Sequence, residues 1–194
     1  MLDSIRYYLA WLTLATLPFA VLYWYAVHPF ARFWRRFGGW GVGAVAVLML
    51  LVNVAVVAFF REPLLAVSFA VAPLQRAVSG VLYLTAAVID RVCRRHLTFR
   101  ILVGAPEVNA HDGGQLLQSG IYGRIRHPRY VAVSLGMLAA ALFCNYYSLW
   151  IVTILMFPAL YGIVLLEERE LRERFGDDYR DYAARVPRFV PRFS

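Results

Sequence analysis

Two apolar runs in the first third of the chain, residues 7–27 and 40–60, constrain the fold more than any other feature. Each matches the roughly 20 residues that a helix needs to cross hydrocarbon. The rest of the chain agrees: 61% of its 194 residues are hydrophobic and mean hydropathy is +0.58. A soluble domain has roughly 45–50% apolar residues, so a solvent other than water must surround much of this protein. We read an all-α integral membrane protein built as a single domain, residues 1–194. Residues 1–90 form an N-terminal three-span region, and residues 91–194 carry the chemistry.

Laying the chain in a bilayer gives five spans. The first, residues 7–27, runs into His28-Pro29 rather than a small-residue cleavage site, and is expected to be a retained anchor. The second, residues 40–60, has Asn53 as its strongly polar interior residue, which is expected to bond to a neighbouring helix. The third is placed at residues 74–90, with residues 61–73 along the opposite surface and Arg76 snorkelling to the interface. The fourth and fifth, residues 130–143 and 149–166, form a hairpin turned at Asn145. Gly136 and Ala140 have the spacing that lets the hairpin helices pack closely, and Pro158 is expected to kink the fifth span.

All twenty basic residues are arginine, and the formal net charge is +8. The arginines flank apolar runs, so they read as membrane topology signals and not as a nucleic-acid footprint. With five spans, Arg32, Arg35 and Arg36, the loop arginines from Arg91 to Arg126, and those from Arg169 to Arg192 share one side. Arg6 and Arg61 lie on the other. The positive-inside rule then puts the N-terminus outside and the C-terminus in the cytoplasm of a prokaryotic cell membrane. Cys93 and Cys144 have no neighbours at metal-ligand spacing, and no metal is expected.

The groups that can do chemistry collect on the cytoplasmic side. They are His111, Gln115, Tyr122, Arg124, Arg126, His127, Tyr130, Glu167 and Glu168. Ionisable groups at such a rim are costly and are usually kept for a task. Pro128 biases His127 away from helical geometry and suits the first turn of the fourth helix. A helix N-terminus is a natural seat for a carboxylate or phosphate, while a carboxylate at Glu167 attracts an ammonium or sulfonium. One zwitterion, held near His127 and Glu167, fits both. An amino acid would serve, as would the amino-acid portion of S-adenosylmethionine.

From about Glu107 onward the chain resembles the isoprenylcysteine carboxyl methyltransferase family, whose relatives include the phospholipid N-methyltransferases. The resemblance is carried by Ser119-Gly120-Ile121-Tyr122, Arg126-His127-Pro128-Arg129-Tyr130, Glu167-Glu168 with Leu171, Phe175-Gly176-Asp177-Asp178-Tyr179, Tyr182, and Val186-Pro187-Arg188-Phe189-Val190-Pro191. It implies S-adenosylmethionine bound in a cytosolic pocket. Gln115, Leu116 and Leu117 would line the adenosine, and Tyr122 and Tyr130 would wall the pocket. His127 and Pro128 would face the methionine carboxylate and Glu167 its amine. Residues 175–191 would close over the cofactor as a lid.

One departure bears on the substrate. The eukaryotic carboxyl methyltransferases carry a substrate-orienting arginine one helical turn before the glutamate, where this chain has Ile163. The expected activity is therefore methyl transfer to a lipophilic small molecule or lipid entering from the bilayer, with membrane lipids as partners. A carboxylate acceptor needs no base, whereas an amine would need one, for which Glu168 or His111 could serve. Two alternatives stand beside it. Membrane sterol reductases carry a similar Arg-His-Pro, acidic and Tyr pattern but use NADPH, and a non-catalytic accessory protein could keep the same fold.

Overall fold

A computed structural model describes residues 1–27, 29–34, 36–95 and 116–192. Among them the regular structure is helical: α1 (Leu2–Val27), α2 (Ala31–Trp34), α3 (Gly38–Phe59), α4 (Arg61–Leu64), α5 (Pro73–Arg94), a 3-10 turn (Gly120–Gly123), α6 (Pro128–Cys144) and α7 (Tyr147–Arg185). Three of these are long and apolar enough to cross a membrane: α1, residues Trp40–Phe59 of α3, and α7. The apolar α6 has 17 residues, or about 25 Å of helix, a little under the roughly 30 Å of hydrocarbon. The 22 residues of α5 have the length but not the composition, because Gln75, Arg76, Asp90, Arg91 and Arg94 interrupt them. The expected five spans thus reduce to three by length and composition alone.

The helices pack around α1, which touches α3, α6 and α7, while α5 lies along α6. Pro18 sits inside α1 and has no N–H to give the carbonyl of Leu14 one turn earlier. Asn53 of α3 supplies the missing donor, with Nδ2 3.3 Å from that carbonyl and also bonded to the carbonyl of Ala15. The expected interhelical bond is present, and it repairs a proline defect in apolar surroundings.

The close helix pair differs from expectation. Ser79, Ala86 and Cys93 recur every seven residues on the buried side of α5, and Ala132 and Ala139 do so on α6. These small residues let the two helices approach, and Ser79 Oγ donates to the Ala139 carbonyl at 2.9 Å. A Cβ on Gly136 would meet nothing within 4 Å, so Gly136 is not a point of close helix contact. Pro158 lies inside α7. The one residue in that helix with non-helical dihedrals is Gly176, at φ 55° and ψ −123°, a region open to glycine.

The far end of the hairpin is tightly tied. Asn145 adopts the left-handed conformation that ends α6, and its side chain donates to the Ala70 carbonyl at 2.8 Å. Arg6 donates to the Cys144 carbonyl through Nε at 3.1 Å and Nη2 at 2.9 Å. Phe69 N–H donates to the Asn145 carbonyl, and Tyr147 N–H to that of Val67. The segment between α4 and α5 therefore crosses over this turn, at the end of α6 opposite His127. On the outside of the bundle, Leu48, Leu51 and Val52 of α3 and Val81, Leu84 and Val88 of α5 are exposed. Contiguous exposed apolar faces of this kind are rare on water-soluble monomers.

Candidate functional site

The site forms where the approach to α6 meets the middle of α7. The 3-10 turn before it is pinned from two sides. Tyr182 donates its hydroxyl to the Tyr122 carbonyl at 2.7 Å, and the Tyr122 side chain bonds to Cys93 at the end of α5. Burial pushes the hydroxyl of Tyr122 well above its ordinary range and that of Tyr182 up to about 12. Both are structural hydrogen-bonding groups. Leu116 packs on Tyr179, Tyr182 and Val186, and Leu117 is half-buried. Gln115 and His111 lie outside the described residues.

His127 is buried and precedes α6 with non-helical φ −122° and ψ 56°. Pro128 is the first helical residue, as the sequence predicts. The tail that follows α7 returns across this point, and Arg126 N–H and His127 N–H donate to the Pro187 and Arg188 carbonyls at 2.9 and 3.0 Å. Phe189 packs on His127 and Tyr161, with ring centroids 6.1 and 6.3 Å apart. Tyr130 meets the other side of the imidazole at 5.7 Å.

Glu167 and Glu168 are neighbours on α7 and so point about 100° apart, yet both reach the same imidazole. Glu168 is fully buried. Its Oε1 lies 3.2 Å from His127 Nε2, 3.3 Å from Arg126 Nη2 and 2.9 Å from Arg188 Nε. Its Oε2 lies 2.8 Å from Arg188 Nη2 and 3.2 Å from Arg172 Nη2. Burial by itself would raise the carboxyl pKa. The bonds from His127 and Arg188, with the charges of Arg126 and Arg188, outweigh it and hold Glu168 at about 2.

Glu167 is in a different position. Its side chain is one-third exposed, and Oε2 lies 3.7 Å from His127 Nδ1. That is beyond hydrogen-bonding distance, and among the described residues the buried Oε2 has no hydrogen-bond partner. His127 and Glu167 do converge, as the sequence predicts. Their separation suits two groups sharing one small cation better than two groups holding opposite ends of a zwitterion.

Sequence reasoning missed Arg188, Arg172 and Tyr161 as parts of this cluster. A signal existed for Arg172, four residues after Glu168 and hence on the same helical face. Arg188 stood in a quoted motif, but no local spacing ties residue 188 to residue 168. Arg126 is nine-tenths buried and Nη1 reaches the Tyr179 hydroxyl at 3.4 Å, whereas Arg124 is exposed. Ile163 is fully buried with Val21, Met137 and Leu160, inside the contact of α7 with α1 and α6.

The fold and site define a helical membrane protein with an ion-paired carboxylate cluster where the start of α6 meets the middle of α7. A sequence model of the phospholipid methyltransferase family matches residues 75–178, more than half of the chain. The chain belongs to that family, which is related to the isoprenylcysteine carboxyl methyltransferases. It is 30% identical to the nickel-cobalt-cadmium resistance protein NccN of Alcaligenes xylosoxydans xylosoxydans over 45% of this chain and 41% of that one. It is 32% identical to the cobalt-zinc-cadmium resistance protein CzcN of Cupriavidus metallidurans, over 45% and 40%. A Delta(14)-sterol reductase of Mus musculus is 33% identical over 46% of this chain and 22% of its own. The chain thus spans well under half the length of these relatives. No solved structure matches it.

Proposed function

We propose that this chain is an S-adenosylmethionine-dependent methyltransferase that acts on a lipophilic small molecule or lipid in the membrane. The observation that carries this reading is the buried Oε2 of Glu167, which has no hydrogen-bond partner among the described residues, beside His127 Nδ1. An acceptor pair of this kind is completed by an ammonium, which the methionine portion of the cofactor has. When bound, the cofactor supplies an activated methyl on a positive sulfur. Glu167 holds the amine, and Tyr122 and Tyr130 wall the pocket. Leu116, Leu117 and Gln115 line the adenosine, and the N-terminus of α6 at Pro128 faces the carboxylate.

The protein's own part is alignment and exclusion of water. Residues 175–191 close the site from the cytoplasm. Glu168, held ionised by its cations, is a poor proton acceptor at neutral pH, so we assign it to positioning. If the acceptor is an amine, a base is needed, and His111 is the remaining candidate of the two. With Ile163 packed in the core, no side chain there can orient an acceptor carboxylate, which favours a substrate other than prenylcysteine. We place α5 and α6 in the bilayer with the three longer helices, giving five spans, an outside N-terminus and a cytoplasmic site.

The match to a sterol reductase supports a second reading, an NADPH-dependent membrane reductase. Calorimetric titration of the purified protein with S-adenosylhomocysteine and with NADPH separates the two. Binding of the first alone supports methyl transfer, and binding of NADPH alone overturns it.

A further inference from the structure

We propose that Arg188 is a positioning residue: clamped on Glu168, it fixes the His127 ring so that Nδ1 and Glu167 form one acceptor seat for a cationic group. The proposal uses the methyltransferase reading only to name that cation as the amine of the methyl donor. The seat's geometry stands apart from it.

The argument runs through the proton on the ring. An ionised carboxylate only accepts hydrogen bonds, so the imidazole nitrogen facing Glu168 must carry hydrogen in either charge state of the ring. That nitrogen is Nε2, at 3.2 Å. In the neutral ring the lone pair is then on Nδ1, which faces Glu167 Oε2 at 3.7 Å. The bond made by one nitrogen sets the role of the other. Two facing acceptors too far apart to bond to each other are suited to a shared donor cation.

Arg188 makes this arrangement depend on the tail. It grips both oxygens of Glu168 through Nε and Nη2, at 2.9 and 2.8 Å, a fork that lysine cannot reproduce. Its own carbonyl accepts from His127 N–H, and Nη1 reaches the Tyr161 hydroxyl at 3.4 Å. The tail therefore fixes the backbone, the ring and the carboxylate together. The other groups facing Glu168 are Arg126 and His127 before α6, and Arg172 and Tyr179 on α7. Of the arginines among them, only Arg188 is itself part of the tail and grips both oxygens of Glu168.

Nitrogen-15 NMR of the imidazoles in the full chain in detergent tests this, with His127→Asn assigning the signal. Wild type should show His127 with hydrogen on Nε2. Arg188→Ala should show mixed tautomers, Arg188→Lys an intermediate state, and Arg172→Ala, which leaves the tail clamp intact, the wild-type state. S-adenosylhomocysteine should bind Arg188→Ala about tenfold or more weakly, as expected for a lost charge-assisted bond. A pure Nε2–H tautomer in both Arg188 variants would overturn the positioning role. Mixed tautomers in Arg188→Ala, with no S-adenosylhomocysteine binding by wild type, would support the role and reject the donor named for the seat.

Discussion

Tyr25 donates its hydroxyl to the Ala159 carbonyl at 2.9 Å, directly over Gly162, where an added Cβ would collide with that hydroxyl. This contact closes α1 on α7 between about one and a half and two turns before Glu167. Gly162→Ala should force the tyrosine aside and cost about 1 kcal/mol, the net value of the lost hydrogen bond. Thermal denaturation in detergent measures it. In a Tyr25→Phe background the same substitution should cost little more, and full additivity would contradict the contact.

The two acids should separate stability from binding. Glu168→Gln leaves Arg126 and Arg188 without their counter-charge, and breaking a buried pair typically costs about 3–5 kcal/mol. Glu167→Gln removes no hydrogen bond among the described residues and should change stability by less than about 0.5 kcal/mol. Ligand affinity should nevertheless fall sharply in Glu167→Gln. Melting curves and titrations of both variants check the contrast.

The carboxyl of Glu168 is held at about 2, below its ordinary value of 4.5. A depressed folded-state pKa contributes stability that is fully present above the unfolded value and lost as pH falls through the folded one. Melting temperature should therefore decline between about pH 4.5 and 2, by the equivalent of roughly 3 kcal/mol from this group. Glu168→Gln should flatten that part of the profile. A wild-type profile that is equally flat would argue against the ion-pair cluster.

Cys93 and Cys144 are both buried. Reaction with maleimide needs an accessible thiolate. Neither cysteine should label in the folded protein at neutral pH, and both should label in denaturing detergent. Mass spectrometry after timed labelling reads the result, and rapid native labelling of Cys93 would contradict its bond to Tyr122.

The sequence made some of this architecture legible. Pro128 after His127 announced the start of α6, and the pair at 167–168 announced the acids that meet it. Asn53 was readable as a helix-bonding residue because an amide in an apolar run has few other partners. Its target was not, since the need arises from Pro18, thirty-five residues earlier. The small residues at 79, 86 and 93 went unread because Gln75 and Arg76 weakened that segment as a span. The positive φ of Gly176 inside α7 was not legible, because a lone glycine in a helical stretch is often tolerated as helix. Arg188 could not be assigned to Glu168, because that contact exists only once the tail folds back.

The most direct measurement is transfer of labelled methyl from S-adenosylmethionine to lipid extract by the purified protein in membranes. The account predicts label in an organic-soluble product with wild type, and its loss in Glu167→Gln at unchanged stability. Label transferred equally by Glu167→Gln, or no transfer while wild type oxidises NADPH, would contradict it.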